Sequence, residues 1–446
     1  MRLTKINLVA SSLLIVFVVA FLSSCARQDR QAWVYKPLRR ANWSAKGMAE
    51  TPVVAGDTVL YISGYPWNNQ VYLHAVNKKD GKEIWTSRDD VSDFAVDGNT
   101  VYTTSRMNVF KIEPGRTGRG FLRAYSLSDG KKIWEMKSMS DPAGVSIIGV
   151  GKYVYCQGTG SICGVDKEKG LISWVSSEEI RPSTIPNVVI EGDTIMTECV
   201  DRAIAFVDGA TGKTKNRLVL NWCKPSAARA LFVNKGVLFI ASSDGKSTVA
   251  FTEQNKLVGP IETNWLTSGV YLSDRVAYFG SEEEPPVSKA ALEAPIKVDK
   301  SAQPDTKSQS YFNALDLESG KYLWRQKLDH RVMSSPASSD GFVVCATKNG
   351  DSSVLHVFDV ASGKIISSTT CSAPVSKPVI SNGVTFVNTG TTVSSIDVAS
   401  GKINWSFKPE ENAPAGSPVL DQSMIYVTAE DGNLYAFRND KVEKSN

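Results

Sequence analysis

Few residues in this chain could do chemistry. Only three histidines, His74, His330 and His356, occur in 446 residues, and they lack the spacing of a metal site. His74 and His356 fall within repeated strand-like runs, where a hydrogen-bonded structural imidazole is expected. Among seven cysteines no two are adjacent and none forms a Cys-x-x-Cys pair, which argues against redox and zinc motifs. Cys156 and Cys163 flank Thr159-Gly160, so a two-residue turn would set them opposite one another, as a cross-strand disulfide or as two reduced thiols. Cys199, Cys223, Cys345 and Cys371 could pair in several ways. Asp166, Asp208, Asp316, Asp359 and Asp397 all stand at one turn-forming position, where hydrogen bonding within the turn is expected. No Gly-x-Ser-x-Gly elbow occurs. No catalytic, cofactor-binding or metal-ligating residues are expected from this inventory.

The remaining cysteine, Cys25, has a different context. Residues 1–24 open with Arg2 and Lys5, continue as an apolar run from Leu8 to Leu22, and end in Leu22-Ser23-Ser24-Cys25. A basic start, an apolar segment shorter than a bilayer span and small residues before a cut site read as a secretory signal. The last four residues resemble the lipobox of bacterial lipoproteins. That resemblance implies removal of residues 1–24 and acylation of Cys25, whose several chains would anchor stably at about 0.8 kcal/mol per buried methylene. The competing reading is a transmembrane anchor with a chance cysteine. Ala26 stands where an Asp would imply inner-membrane retention, so the resemblance points to the outer membrane, periplasmic side, in an organism that has one. Residues 25–45 are expected to form the lipidated tether.

The elements that would carry these residues come from a repeat. The phrase Ala-Leu-Asp-Leu-Glu-Ser-Gly-Lys-Tyr-Leu-Trp at 314–324 returns with its glycine at Gly81, Gly130, Gly170, Gly212, Gly320, Gly363 and Gly401. A period of about 40 residues is the signature of a solenoid, propeller or array. Trp85, Trp134, Trp174, Trp324 and Trp405 stand four residues after their glycines, while Asn216 and Ser367 replace the tryptophan in two copies. An alternating run, an Asp-x-x-Ser-Gly-Lys turn and a second run make a hairpin. A second hairpin precedes it, as in 52–63, 94–104 and 337–347, and two hairpins per period make a four-stranded blade.

Gln31-Ala-Trp-Val-Tyr35 resembles the tryptophan strand that the last repeat lacks, so closure is expected to bring the N-terminal strand into the C-terminal blade. The count is then eight or nine blades across residues 46–440, since the copies between 188 and 262 are degenerate. Two stretches break the period: 282–310, rich in Glu, Pro, Lys and Ala and expected to be a disordered insertion between two strands of a blade, and the basic, glycine-rich 111–123, read as a loop at the same place in another blade. With 42% hydrophobic residues the chain can bury a large all-β core. Its net charge of +4 falls to about +2 without Arg2 and Lys5, which points to no nucleic-acid partner.

The Ala-x-Asp-x-x-(Ser/Thr/Asp)-Gly-Lys-x-x-Trp phrase is similar to the tryptophan-docking repeat of PQQ-like, quinoprotein-type β-propellers. The resemblance covers nearly the whole mature chain and implies a closed propeller, usually of eight blades, in which Trp85, Trp134, Trp174, Trp324 and Trp405 dock between neighbouring blades. Two functions remain open under it. One is a PQQ- and calcium-dependent periplasmic oxidoreductase, for which the adjacent-cysteine pair of such enzymes is missing. The other is a non-catalytic lipoprotein scaffold resembling the BamB-like outer-membrane assembly proteins, whose partner would be an outer-membrane β-barrel assembly machine. Strand edges and loops of a propeller suit β-augmentation.

Overall fold

The computed structural model describes residues 31–36, 48–49, 51–65, 70–105, 120–137, 146–158, 161–176, 188–199, 202–222, 229–243, 245–251, 256–283, 308–372, 375–390, 392–409, 414–422, 424–430 and 432–438. The signal segment and Cys25 lie outside them. Among the described residues every regular element is a strand, and no helix is long and apolar enough to cross a membrane.

The strands form nine separate antiparallel sheets. Blades 1 to 9 comprise residues 48–86, 93–137, 146–175, 188–219, 229–262, 265–328, 337–371, 379–407 and 414–438, the last completed by Gln31–Tyr35. In blades 1 to 8 the strands follow chain order from the first to the fourth, outermost one, and in blade 9 Gln31–Tyr35 is outermost. Blades 1 and 6 split the first strand into two short pieces, Met48–Ala49 with Val53–Ala55 and Trp265–Leu266 with Tyr271–Leu272.

Nine apolar clusters hold the wheel together, and each lies between two neighbouring blades. The core is thus a set of wedges, because a sheet with apolar residues on both faces must be covered on both. The cluster of Trp33, Tyr35, Val59, Tyr61, Val76 and Tyr426 joins blade 9 to blade 1 and closes the ring. Gln31–Tyr35 pairs antiparallel with Leu434–Arg438, as the missing tryptophan strand requires. The degenerate stretch makes two full blades, 4 and 5, since alternation alone buries Met196, Ile204, Leu238 and Ile240 between them.

At most interfaces a bulky side chain of one blade fits the hairpin turn of the next. Trp85, Trp134, Trp174 and Trp324 lie against Gly130, Gly170, Gly212 and Gly363, where an added Cβ would come within 2.7, 2.6, 2.3 and 2.4 Å of the indole. Those glycines have φ between +64 and +69°, so both conformation and space exclude a side chain. The indole N–H groups donate to the carbonyls of Leu127, Lys167, Gly209 and Val360 at 2.7 to 3.0 Å. Opposite each indole on the adjacent strand stands a small residue: Ala75, Ala124, Gly164 or Ala314. Trp33 repeats the arrangement on Gly81 and donates to Lys78 O at 3.2 Å.

Trp405 is different, because the turn it would meet is where blade 9 joins the two chain ends. It packs against Phe437, with centroids 5.4 Å apart, and Phe386. At blade 5 Val258 and Ile261 take the tryptophan's place under Gly320. At blade 7 Ser367 donates to Val398 O and Thr369 to Gly401 O, both at 2.7 Å, so the two backbones draw together.

Two segment boundaries differ from the sequence reading. The strands beside the insertion of blade 6 extend to Glu283 and resume at Gln309, leaving 284–307 outside the described residues. Arg123 belongs to the strand Phe121–Ser126 rather than to a basic loop, and its Nε donates to Glu135 Oε2 at 2.8 Å. Glycines and like charges dominated the local pattern there, while the balancing carboxylate sits on the next strand.

Candidate interaction faces

The titratable residues singled out from sequence do not converge. His74 and His356 occupy equivalent places on the third strands of blades 1 and 7. Each bridges hydroxyls of the flanking strands: Ser63 and Thr86 lie 2.9 and 3.0 Å from the nitrogens of His74, and Thr347 and Ser368 lie 3.1 and 3.0 Å from those of His356. Asn313, Arg123 and Ser394 use the same place in other blades to reach Arg325, Glu135 and Ser406. The position therefore carries a within-blade polar tie. His330 lies apart in the bend after Leu328.

Burial pushes both bridging imidazoles down to about 4. The unfolded chain takes up these protons from about pH 6.5 downward, whereas the folded one resists to about 4. Stability is then full above pH 6.5 and falls as the pH drops towards 4, by about 3 kcal/mol from His74. Denaturant midpoints at pH 7.5 and 4.5 should show this loss, and His74→Gln should flatten the profile. A midpoint independent of pH across that window would contradict it.

The repeated aspartates lie in their turns. Asp316, Asp359 and Asp397 each accept from the N–H and hydroxyl of the serine three residues on. Asp208 does the same with Thr211 and also meets Lys215 at 2.9 Å. These contacts hold the carboxyls of Asp208, Asp316 and Asp359 below their ordinary range, and the Lys169 and Glu168 N–H groups do so for Asp166. Such anions are turn locks.

Cys156 and Cys163 are register partners on the second and third strands of blade 3, both as thiols. A hydrogen bond with the Cys163 thiol, together with burial, pushes the Cys156 thiol up. Cys199, Cys345 and Cys371 are buried thiols, and Cys223 lies outside the described residues. Among the described residues no group of three or more His, Cys, Asp or Glu could hold a metal ion. No two cysteines are adjacent in the sequence.

The two faces of the wheel are unlike. Among the described residues, strand order puts the first-to-second and third-to-fourth turns on one face. They are short there, as at 98–99 and 340–341, and ion pairs join neighbouring blades across them: Lys78–Asp421, Lys167–Asp97 and Lys235–Asp274. The second strands end and the third strands begin at the opposite face, as at Asn349 and Ser352 in blade 7. Around the rim each fourth strand leaves one edge without a partner strand and exposes apolar side chains such as Ile133, Val175 and Leu323.

The model of the family described as outer membrane protein assembly factor BamB matches residues 69–288 and 308–441. The chain belongs to that family. No curated protein matches it in sequence. Among solved structures, BamB from Moraxella catarrhalis is similar at 12% identity and a TM-score of 0.50, covering 92% of this chain and 99% of that one. A computationally designed protein, Ika8, is similar at 10% identity and 0.52, over 88% and 97%. A europium-containing methanol dehydrogenase follows at 12% identity and 0.48, over 92% and 93%. The first two likenesses support the propeller fold of this BamB-family chain. Sequence reasoning did not place Trp33 among the docking tryptophans, although its strand was recognised; the Gly81 turn was the available signal.

Proposed function

We propose that this chain is a non-catalytic scaffold of the cell envelope, lipid-anchored through Cys25 to the outer membrane and facing the periplasm, which engages a β-barrel assembly machine. The family match over most of the chain is the observation that carries this reading. The dispersed histidines and turn-locked aspartates also suit a binding protein better than an enzyme.

Affinity capture of the full-length tagged chain from detergent-solubilised membranes is expected to recover a stoichiometric outer-membrane β-barrel protein, and a variant with residues 1–25 replaced by a cleavable, non-lipidated secretory signal should leave the membrane fraction. Membrane retention of that variant, or saturable PQQ and calcium binding with dye-linked turnover, would overturn the reading.

A further inference from the structure

Cys156 and Cys163 form a thiol pair that neither the ring closure nor the scaffold role uses. Among the described thiols they alone are register partners, since Cys345 stands opposite His356 and Cys371 opposite Ser353. Directly opposed residues of antiparallel strands have Cα atoms about 4.5–5.5 Å apart, inside the roughly 4.4–6.8 Å that a disulfide spans.

The two sulfurs differ. Cys156 is fully buried among Tyr102, Leu122, Val154 and Val165 between blades 2 and 3, whereas Cys163 is half-buried at the border of the same cluster. The Cys156 S–H donates to the Cys163 sulfur and lowers the Cys163 thiol, against the effect of burial. A partly open thiol backed by a closed one is the arrangement of an attacking cysteine and its resolving neighbour. A disulfide also suits the cluster, because it is apolar and leaves no S–H donor inside it.

We propose that Cys163 is a redox modification site that attacks a small disulfide oxidant of the glutathione class, and that Cys156 resolves the adduct into a reversible cross-strand disulfide. In the first step the Cys163 thiolate bonds to one sulfur of the oxidant, whose S–S bond breaks and releases a thiolate. The Cys156 sulfur then attacks Cys163 Sγ, closes the bridge and expels the second thiolate. Each departing thiolate takes up one proton, so two protein thiols and one small disulfide become one protein disulfide and two small thiols. The bridge pins the second strand of blade 3 to the third where their side chains meet blade 2. This chemistry needs only the folded chain, so it stands or falls separately from the anchor and the assembly partner above.

The test equilibrates the pre-reduced, detergent-solubilised full-length chain with stepped ratios of oxidised to reduced glutathione, then quenches with acid, alkylates in denaturant and maps the peptides by mass spectrometry. The Cys156 and Cys163 peptides are expected to become linked in a single two-electron transition and to return to thiols in excess reduced glutathione, while Cys345 and Cys371 stay free to alkylate throughout. Cys156→Ala should trap one glutathione on Cys163, and in Cys163→Ala the buried Cys156 should react at least ~10-fold more slowly. Should either variant misfold, the titration of the parent chain decides alone. A pair that stays reduced in oxidised glutathione, a link that reduced glutathione does not reverse, or oxidation of Cys345 and Cys371 in step with the pair would overturn the proposal, as would Cys156 reacting as fast as Cys163 in the folded variants.

Discussion

Trp85→Ala is expected to destabilise the protein by about 3–5 kcal/mol, the range for emptying a buried aromatic site. Trp85 is only 8% exposed, belongs to the cluster between blades 1 and 2, and donates to Leu127 O at 2.7 Å. Its loss leaves a void, an unbonded carbonyl and a slack turn together. Trp324 makes the same kind of bond but is less buried, so its truncation should cost less, on the order of 2–3 kcal/mol. Gly130→Ala tests the other half of the lock, since the new methyl would sit 2.7 Å from the Trp85 ring at a φ of +66°. Combining it with Trp85→Ala should cost clearly less than the two losses added, because the clash needs both partners. Denaturant unfolding of the four forms measures this cycle. Strict additivity, or a neutral Trp85→Ala, would show that the indole does not wedge the blades.

Deleting residues 31–35 should have a larger effect still. That strand supplies the outer edge of blade 9, places Trp33 on Gly81, and brings the Tyr35 hydroxyl to Glu83 of blade 1. Without it, Leu434–Arg438 presents an unpaired edge and the cluster between blades 9 and 1 loses two aromatic rings. A loss of about 5 kcal/mol or more is expected from the missing Trp33 and Tyr35 alone, with aggregation through the exposed edge. A synthetic peptide carrying Gln31 to Tyr35 should partly restore the melting temperature when added in excess. A deletion variant as stable and monomeric as the parent would mean that the ring closes by other contacts.

The repeat made the fold legible because three signals recur together: alternation, a positive-φ glycine and a tryptophan four residues on. Closure was legible for the same reason, since Gln31–Tyr35 carries the strand that the last repeat lacks. Nine blades rather than the usual eight follow because 188–262 keeps its alternation after losing its tryptophans. Other features depend on partners distant in sequence. Trp405 has the same local pattern as Trp85, yet the turn it would need is interrupted by the chain ends. Asn216 and Ser367 look alike as missing tryptophans. Only the opposing residues, Phe206 and Val357, and the approach of the next backbone distinguish them. Arg123 read as part of a basic loop because Glu135, its counter-ion, lies on another strand.

The clasp at Gln31–Tyr35 sets an order of events during synthesis. Its mate, Leu434–Arg438, is made last, and at about 5–20 residues per second the roughly 400 residues between them take on the order of 20–80 s to appear. For that interval the earliest segment of the wheel must wait unmated while eight blades assemble beside it. A holding factor, or a slow final docking phase in refolding, is the natural companion of a circle sealed by its own beginning.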